Sequence, residues 1–307
     1  MPYPIAITDP GAFTRLPEPE DEAALRSAAA SAYGVADPAM VVAAPGTQIL
    51  ISLLPHLLRR TGEVAVVEPT YAEHAVAWAQ AGHRVRGVTD LGQVGSAGTV
   101  VLCNPNNPDG RRHETHELLA LADRLAKQGG LLVVDEAFAD LEPDGVSLAP
   151  VLPHPAILIL RSFGKTYGLA GLRLGLALAE PALAGLLRQA LGPWAVSGLA
   201  IAAALQALPD AGWRDAARSR LQADAARLHA AIGQRPIGAT SLFCLYAFGE
   251  AALLADHLGQ AGILVRSFAD QPDRLRFGLP EPISWPRLEA ALVTWRARPS
   301  GPGHHRP

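Results

Sequence analysis

The chain has 307 residues, 49% hydrophobic and 18% charged, and its 26 basic against 29 acidic residues leave a formal charge of −3. Disordered chains are poor in apolar residues, so a largely disordered protein is excluded, and without a cationic surplus no nucleic-acid partner is expected. Two cysteines rule out a disulfide scaffold and suit a reducing compartment.

The length corresponds to about two domains of ordinary size. The first twenty residues carry prolines and acidic residues rather than a basic start followed by an apolar run, so no secretion signal is expected. No segment approaches the ~18 uninterrupted apolar residues of a membrane span. The expectation is a soluble, cytoplasmic protein without a membrane partner.

In chain order, the Pro-rich opening gives way to a helix pattern over Glu20–Tyr33, closed by Gly34. From Val41 to Ala179, short apolar runs alternate with amphipathic helices. The runs are Glu63–Glu68, Arg84–Val88, Thr99–Cys103, Leu131–Asp135 and Ala156–Leu160, and the helices include Thr47–Arg60, Tyr71–Ala81 and Glu114–Gln128. Such alternation predicts an α/β fold with a mostly parallel sheet covered on both faces. Arg173–Ala179 reads as a further strand and Glu180–Leu208 as an Ala/Leu-rich helical stretch. A long helix, Trp213–Ile232, then leads into a smaller α+β unit with strands at Ser241–Phe248, Ile263–Ser267 and Arg274–Gly278 and helices at Glu250–Gln260 and Trp285–Arg298. The Pro/Gly/His-rich tail, residues 300–307, is expected to be disordered.

In an open parallel sheet, ligands gather at the carboxyl ends of the strands, and several chemically suggestive residues fall there. Pro45-Gly46-Thr47-Gln48 opens a helix whose free N–H groups could take a phosphate, or is simply a helix start with Gly and Thr near the cap. The Asn104–Gly110 segment is either a surface turn or a rigid loop presenting an amide. Asp135 closes a buried strand, as a solvated end or as a partner for a cationic ligand atom. Ser162, Lys165 and Arg173 surround a glycine-rich turn, and the small and apolar neighbours of Lys165 suit the desolvated amine of a Schiff-base lysine. The G-x-G-x-x-G dinucleotide spacing is absent. His113-Glu-Thr-His116 lacks the H-E-x-x-H spacing of a metal site and reads as a helix start, so no metal is expected.

Taken in order, the Gly-Thr helix start, Tyr71, Asn107, Asp135 and the Ser162/Lys165/Arg173 element resemble the fold-type-I, aspartate-aminotransferase-like pyridoxal-phosphate enzymes. Within that family the sequence is similar to the histidinol-phosphate aminotransferase branch, above all to the threonine-phosphate decarboxylases of cobalamin biosynthesis. The resemblance implies a large cofactor-binding domain over residues 39–209 and a small domain over 210–307, joined by an N-terminal segment, 1–38. It implies that Lys165 carries pyridoxal phosphate, that Asp135 pairs with the ring nitrogen, and that Asn107 donates to the phenolate oxygen. Tyr71 would stack on the ring, while Gly46, Thr47, Ser162 and Arg173 hold the phosphate. Arg276 aligns with the family arginine that clamps the substrate carboxylate, and Arg266 with an arginine associated in this branch with a phosphate-bearing substrate.

Three departures from the family pattern stand out. Phe138 replaces a tyrosine usual in the aminotransferases, Gly164 replaces a hydroxyl residue before the lysine, and Leu16 stands where a partner subunit's tyrosine is expected. The implied activity is decarboxylation of L-threonine O-3-phosphate by a homodimer. A histidinol-phosphate-type transaminase and a non-catalytic binding module are the alternatives.

Overall fold

The computed structural model describes residues 2–58, 62–143 and 145–298. Two compact units emerge: the larger takes the chain up to Asn107 and again from Arg111 to Ala217, and the smaller takes Pro108–Gly110 and the chain from Arg218.

In the larger unit, α1 (Gly11–Thr14) and α2 (Pro19–Tyr33) precede β1 (Val41–Ala44). Then come α3 (Thr47–Leu57), β2 (Glu63–Val67), α4 (Glu73–Gln80), β3 (Arg84–Val88), β4 (Thr99–Cys103), α5 (Thr115–Lys127) and β5 (Leu131–Asp135). They are followed by β6 (Ile157–Ser162), α6 (Phe163–Thr166), β7 (Gly175–Ala179), α7 (Pro181–Leu191), α8 (Gly198–Ala207) and the start, up to Ala217, of α9 (Ala211–Ile232). Local chemistry sets the helix ends. α2 starts with a reciprocal Glu18–Asp21 capping box and stops at Gly34 in the left-handed region, and α5 starts with a Glu114–Glu117 box. α3 ends two residues after Pro55, short of the expected Arg60, which lies outside the described residues. The Ala/Leu-rich stretch divides into α7 and α8 because Gly192 and Pro193 interrupt it.

The seven strands form one sheet in the order β1-β7-β6-β5-β4-β2-β3, parallel except for β7, which runs antiparallel to both its neighbours. Its inner strands are buried on both faces. In β5, Leu132 and Val134 enter one core cluster while Leu131 and Val133 enter the other, and β6 divides Ile157 and Ile159 from Leu158 and Leu160 in the same way. Each such side chain contributes about 1.5–3 kcal/mol by leaving water, so the strand ends stand on a stiff base.

The N-terminal segment, expected to join the small domain, belongs to the larger unit instead. Leu25, Ala29 and Ala30 of α2 and Tyr3 are buried in the same cluster as Ile201 and Ala204 of α8. The Tyr3 hydroxyl also donates to the Gln206 carbonyl.

The smaller unit has a four-stranded antiparallel sheet, β10-β11-β9-β8, formed by β8 (Gly238–Thr240), β9 (Phe243–Ala247), β10 (Arg266–Ser267) and β11 (Arg274–Gly278). α10 (Ala251–Gln260) and α11 (Trp285–Arg296) supply Leu254, Leu258, Trp285 and Leu288 to its core. The expected strand at Ile263–Ser267 shortens to β10, since only Arg266 and Ser267 pair with β11 and Leu264 is 98% exposed. The tail beyond Arg298 lies outside the described residues.

Candidate active site

Strand register gathers the candidate residues along one edge of the large sheet. Cys103 at the end of β4 pairs with Asp135 at the end of β5, while Ser162 and Ala44 both pair with Gly175, where antiparallel β7 begins. Asp135 is buried. Its Oδ1 accepts the Ala137 N–H at 3.0 Å, and its Oδ2 lies 3.0 Å from Nε2 of His74 on α4, itself 1% exposed. Burial opposes a charge on this imidazole, yet hydrogen bonds to Asp135 and Cys103 outweigh it and push the pKa up to about 10. The shift favours the imidazolium form of His74 beside Asp135.

His74 escaped the sequence reading. Its signal was its place one helical turn after Tyr71. The nitrogen, sulfur and oxygen donors of His74, Cys103 and Asp135 lie within 4.8 Å of one another, a donor set that could hold a soft cation.

Tyr71 stands edge-on to His74, ring centroids 6.0 Å apart, and is 40% exposed. Its hydroxyl donates to Gln48 Oε1 at 3.0 Å, and burial and the Glu73 carboxylate raise its pKa, keeping the phenol protonated. Two asparagines of the neighbouring loop are committed to its shape. Asn104 accepts the His113 N–H and donates to the carbonyls of His113 and Val146, whereas Asn106 accepts the Thr70 hydroxyl and donates to the Pro69 carbonyl. Asn106 thereby ties the loop that presents half-buried Asn107 to the segment that presents Tyr71. His113 is part of this loop and precedes the α5 capping box, as the helix-start reading had it.

On the other side of Asp135, Gly46 precedes α3 at φ +87°, and no side chain caps the helix. Arg173, itself left-handed at φ +53°, brings its guanidinium over Gly46, where a Cβ would lie only 2.7 Å from Nη2. Gly46 is thus required both by its backbone and by the room it leaves. An uncapped helix start, a guanidinium and, one register position across β7, Ser162 are donors of a kind that suits a phosphate. Lys165 lies on α6, its Nζ 5.7 Å from the ring centroid of Phe138 on the loop after β5. Gly164 has a steric reason: a Cβ there would meet Ala170 Cα at 2.8 Å.

In the smaller unit, Arg266 and Arg276 are directly opposed across β10 and β11. The Arg276 guanidinium covers the Phe243 ring at 4.9 Å and that of Arg266 lies 5.8 Å from the Phe268 ring. Burial lowers the pKa of Arg276, and the charge of Arg266 lowers it further.

The model of the aminotransferase class I and II family matches residues 5–281. The chain belongs to that family. A threonine-phosphate decarboxylase of Pseudomonas aeruginosa is 42% identical over 302 residues, covering 96% of this chain and 89% of the relative. Among solved structures, L-threonine-O-3-phosphate decarboxylase from Porphyromonas gingivalis shares the fold at TM-score 0.79 and 23% identity, over 94% of this chain and 92% of that one. Histidinol-phosphate aminotransferase from Sinorhizobium meliloti, solved in complex with pyridoxal-5'-phosphate, gives 0.79 at 26% identity over 92% and 84%. The architecture is that of the fold-type-I pyridoxal-phosphate enzymes.

The residues present fit that cofactor. The Gly46–Arg173 cradle suits a phosphate, the Asp135–His74 pair a cationic ring nitrogen, and Lys165 an aldehyde. The soft-cation donor set is the same group that would face the ring.

Proposed function

We propose that the chain is a pyridoxal-phosphate enzyme that decarboxylates L-threonine O-3-phosphate to (R)-1-amino-2-propanol O-2-phosphate and CO2 for cobalamin synthesis. The observation that carries this reading is the 42% identity, over nearly the whole of both chains, with a threonine-phosphate decarboxylase. The opposed guanidiniums of Arg266 and Arg276 support it, because a substrate with both a carboxylate and a phosphate answers two adjacent cations.

Pyridoxal phosphate, when bound, supplies an electron sink for the pair left when a bond to the substrate's α-carbon breaks. In this reading the protein's share is positioning and proton control. Lys165 Nζ holds the cofactor covalently and afterwards carries the proton that replaces CO2 on the α-carbon. Asp135, fastened by its hydrogen bond to His74, would hold the proton on the ring nitrogen. Gly46 and Thr47 N–H groups, the Ser162 hydroxyl and Arg173 bind the phosphate, Asn107 donates to the phenolate oxygen and Tyr71 covers the ring face. Phe138 presents the site with an apolar face and no hydroxyl. Arg266 and Arg276, on the 210–307 domain, bind the substrate's anionic groups.

The same reading makes the enzyme a cytoplasmic homodimer, with Leu16 facing the partner's site. In its support, Phe13, Leu16 and Trp194 of the larger unit are exposed apolar side chains, and both cysteines are buried thiols. Among the described residues, no helix is long and apolar enough to cross a membrane.

Likeness to the histidinol-phosphate aminotransferase of Sinorhizobium meliloti favours a transaminase as the second reading. One assay separates them: CO2 released from L-threonine O-3-phosphate, set against amino-group transfer from histidinol phosphate to 2-oxoglutarate. Release of CO2 is expected. Transfer without release establishes the transaminase, and a protein that does neither is a binding module.

A further inference from the structure

Behind Lys165 lies a buried ionic network that the mechanism above does not use. Arg161, the residue before Ser162 in β6, is 4% exposed, and its guanidinium meets two carboxylates from the loop after β5. Nη2 is 2.9 Å from Glu136 Oε2 and donates to Ser147 Oγ, while Nη1 donates to Asp140 Oδ1. Glu136 also accepts the Ser147 hydroxyl and the Leu148 N–H, and the Tyr33 ring covers the guanidinium at 4.7 Å. The other oxygen of Asp140, Oδ2, accepts the hydroxyl of Thr166 at 2.7 Å.

One carboxylate therefore fastens both ends of the six-residue stretch from Arg161 to Thr166, and Ser162 and Lys165 lie between the two fastenings. The turn needs such support. α6 has four residues, and a helix that short does not hold its own geometry. Its apolar side rests on a stack in which Tyr167 lies 4.4 Å from Phe163 and 5.4 Å from Trp213. Its polar side is held by the Thr166–Asp140 bond. Asp140 belongs to the loop that begins at Asp135 and carries Phe138, so that bond joins the lysine's turn to the strand end facing the ring nitrogen.

We propose that Thr166 is a positioning residue, whose hydroxyl, bonded to Asp140, fixes the Lys165 turn against the loop carrying Asp135 and Phe138. The inference rests on the reading that Lys165 carries the cofactor. A buried threonine also fills space, and three substitutions separate the two roles. Thr166→Val removes the hydroxyl and keeps the volume, Thr166→Ser removes only the methyl, and Thr166→Ala removes both.

In the holoenzyme, kcat and KM for L-threonine O-3-phosphate are measured with the melting temperature and the pH midpoint of the lysine-bound cofactor's absorbance band. Val and Ala are expected to lower kcat about tenfold or more at nearly unchanged KM and to displace the midpoint, with Ser within about twofold of wild type. If Val behaves as wild type, or if Ser falls as far as Ala, Thr166 serves packing and the proposal is overturned. It is also overturned if only the melting temperature moves. Should Val not fold, the Ser-against-Ala pair isolates the hydroxyl in a smaller side chain and decides. A wild-type protein without any cofactor band would instead overturn the reading of Lys165. A flat variant series on a cofactor-loaded wild type overturns only this inference.

Discussion

His74 Nε2 lies 3.0 Å from Asp135 Oδ2, with His74 1% exposed, so the imidazole and the Asp135 carboxyl group meet in a buried site. Burial works against the charged ring, but Asp135 and Cys103 outweigh it, and the pKa rises to about 10 from an ordinary 6.5. The fold thus favours the protonated ring. This contribution to stability is fully present below pH 6.5 and is lost as pH rises toward 10. Urea unfolding of the cofactor-free protein across that window should show wild type losing up to about 1.4 kcal/mol per pH unit, one proton's worth. His74→Gln should lack this slope. Parallel pH profiles for the two proteins would place the charge elsewhere.

Lys165→Ala should abolish turnover while leaving the melting curve close to wild type, because α6 is a four-residue turn and the sheet beneath it is untouched. Borohydride should no longer fix cofactor mass to the chain. A variant that keeps appreciable turnover without added amines contradicts the role given to the lysine.

Gly46→Ala tests the phosphate cradle. An added Cβ meets the Arg173 guanidinium at 2.7 Å and forces a left-handed φ of +87° on a residue with a side chain, a strain of about 1–2 kcal/mol. Cofactor affinity, read by fluorescence quenching on titration with pyridoxal phosphate, should fall about tenfold or more. Unchanged affinity with a lowered melting temperature would mean that the glycine serves the backbone alone.

Much of the scaffold was legible because its signals are local. The run Leu131–Val134 is apolar at every position since both faces of β5 are covered, and Gly34 and the α5 capping box mark ends that any context would respect. The glycine and polar residues at the strand ends were legible for the same reason. What escaped depends on packing between distant segments. His74 acquires a role only when α4 brings it to β5, and Thr166 only when the loop after β5 returns Asp140 beneath α6. The N-terminal segment was misplaced because nothing in its own residues shows that Leu25 and Ala29 meet α8. The break between α7 and α8 was written in Gly192 and Pro193, but the Ala/Leu richness around them pointed to one helix.

Arg266 and Arg276 face each other in register on neighbouring strands, an arrangement of like charges that costs a sheet stability. Half-buried Arg276 bears this most, its pKa lowered by burial and by the charge of Arg266. A bound molecule with two anionic groups relieves the repulsion, so the pair should matter to substrate far more than to fold or cofactor. Replacing either arginine with alanine should lower kcat/KM for L-threonine O-3-phosphate by two orders of magnitude or more, corresponding to the roughly 2–5 kcal/mol of a lost charge-assisted contact. The cofactor's absorbance should stay as in wild type, and the melting temperature should hold or rise as the repulsion is removed. Unphosphorylated L-threonine then tells the two apart: the arginine that binds phosphate should matter little for it, and the one that binds carboxylate should still matter. The resemblance gives the phosphate to Arg266. If Arg266→Ala leaves kcat/KM for the phosphorylated substrate near wild type, the phosphate is held elsewhere and the substrate assignment loses the support of this pair.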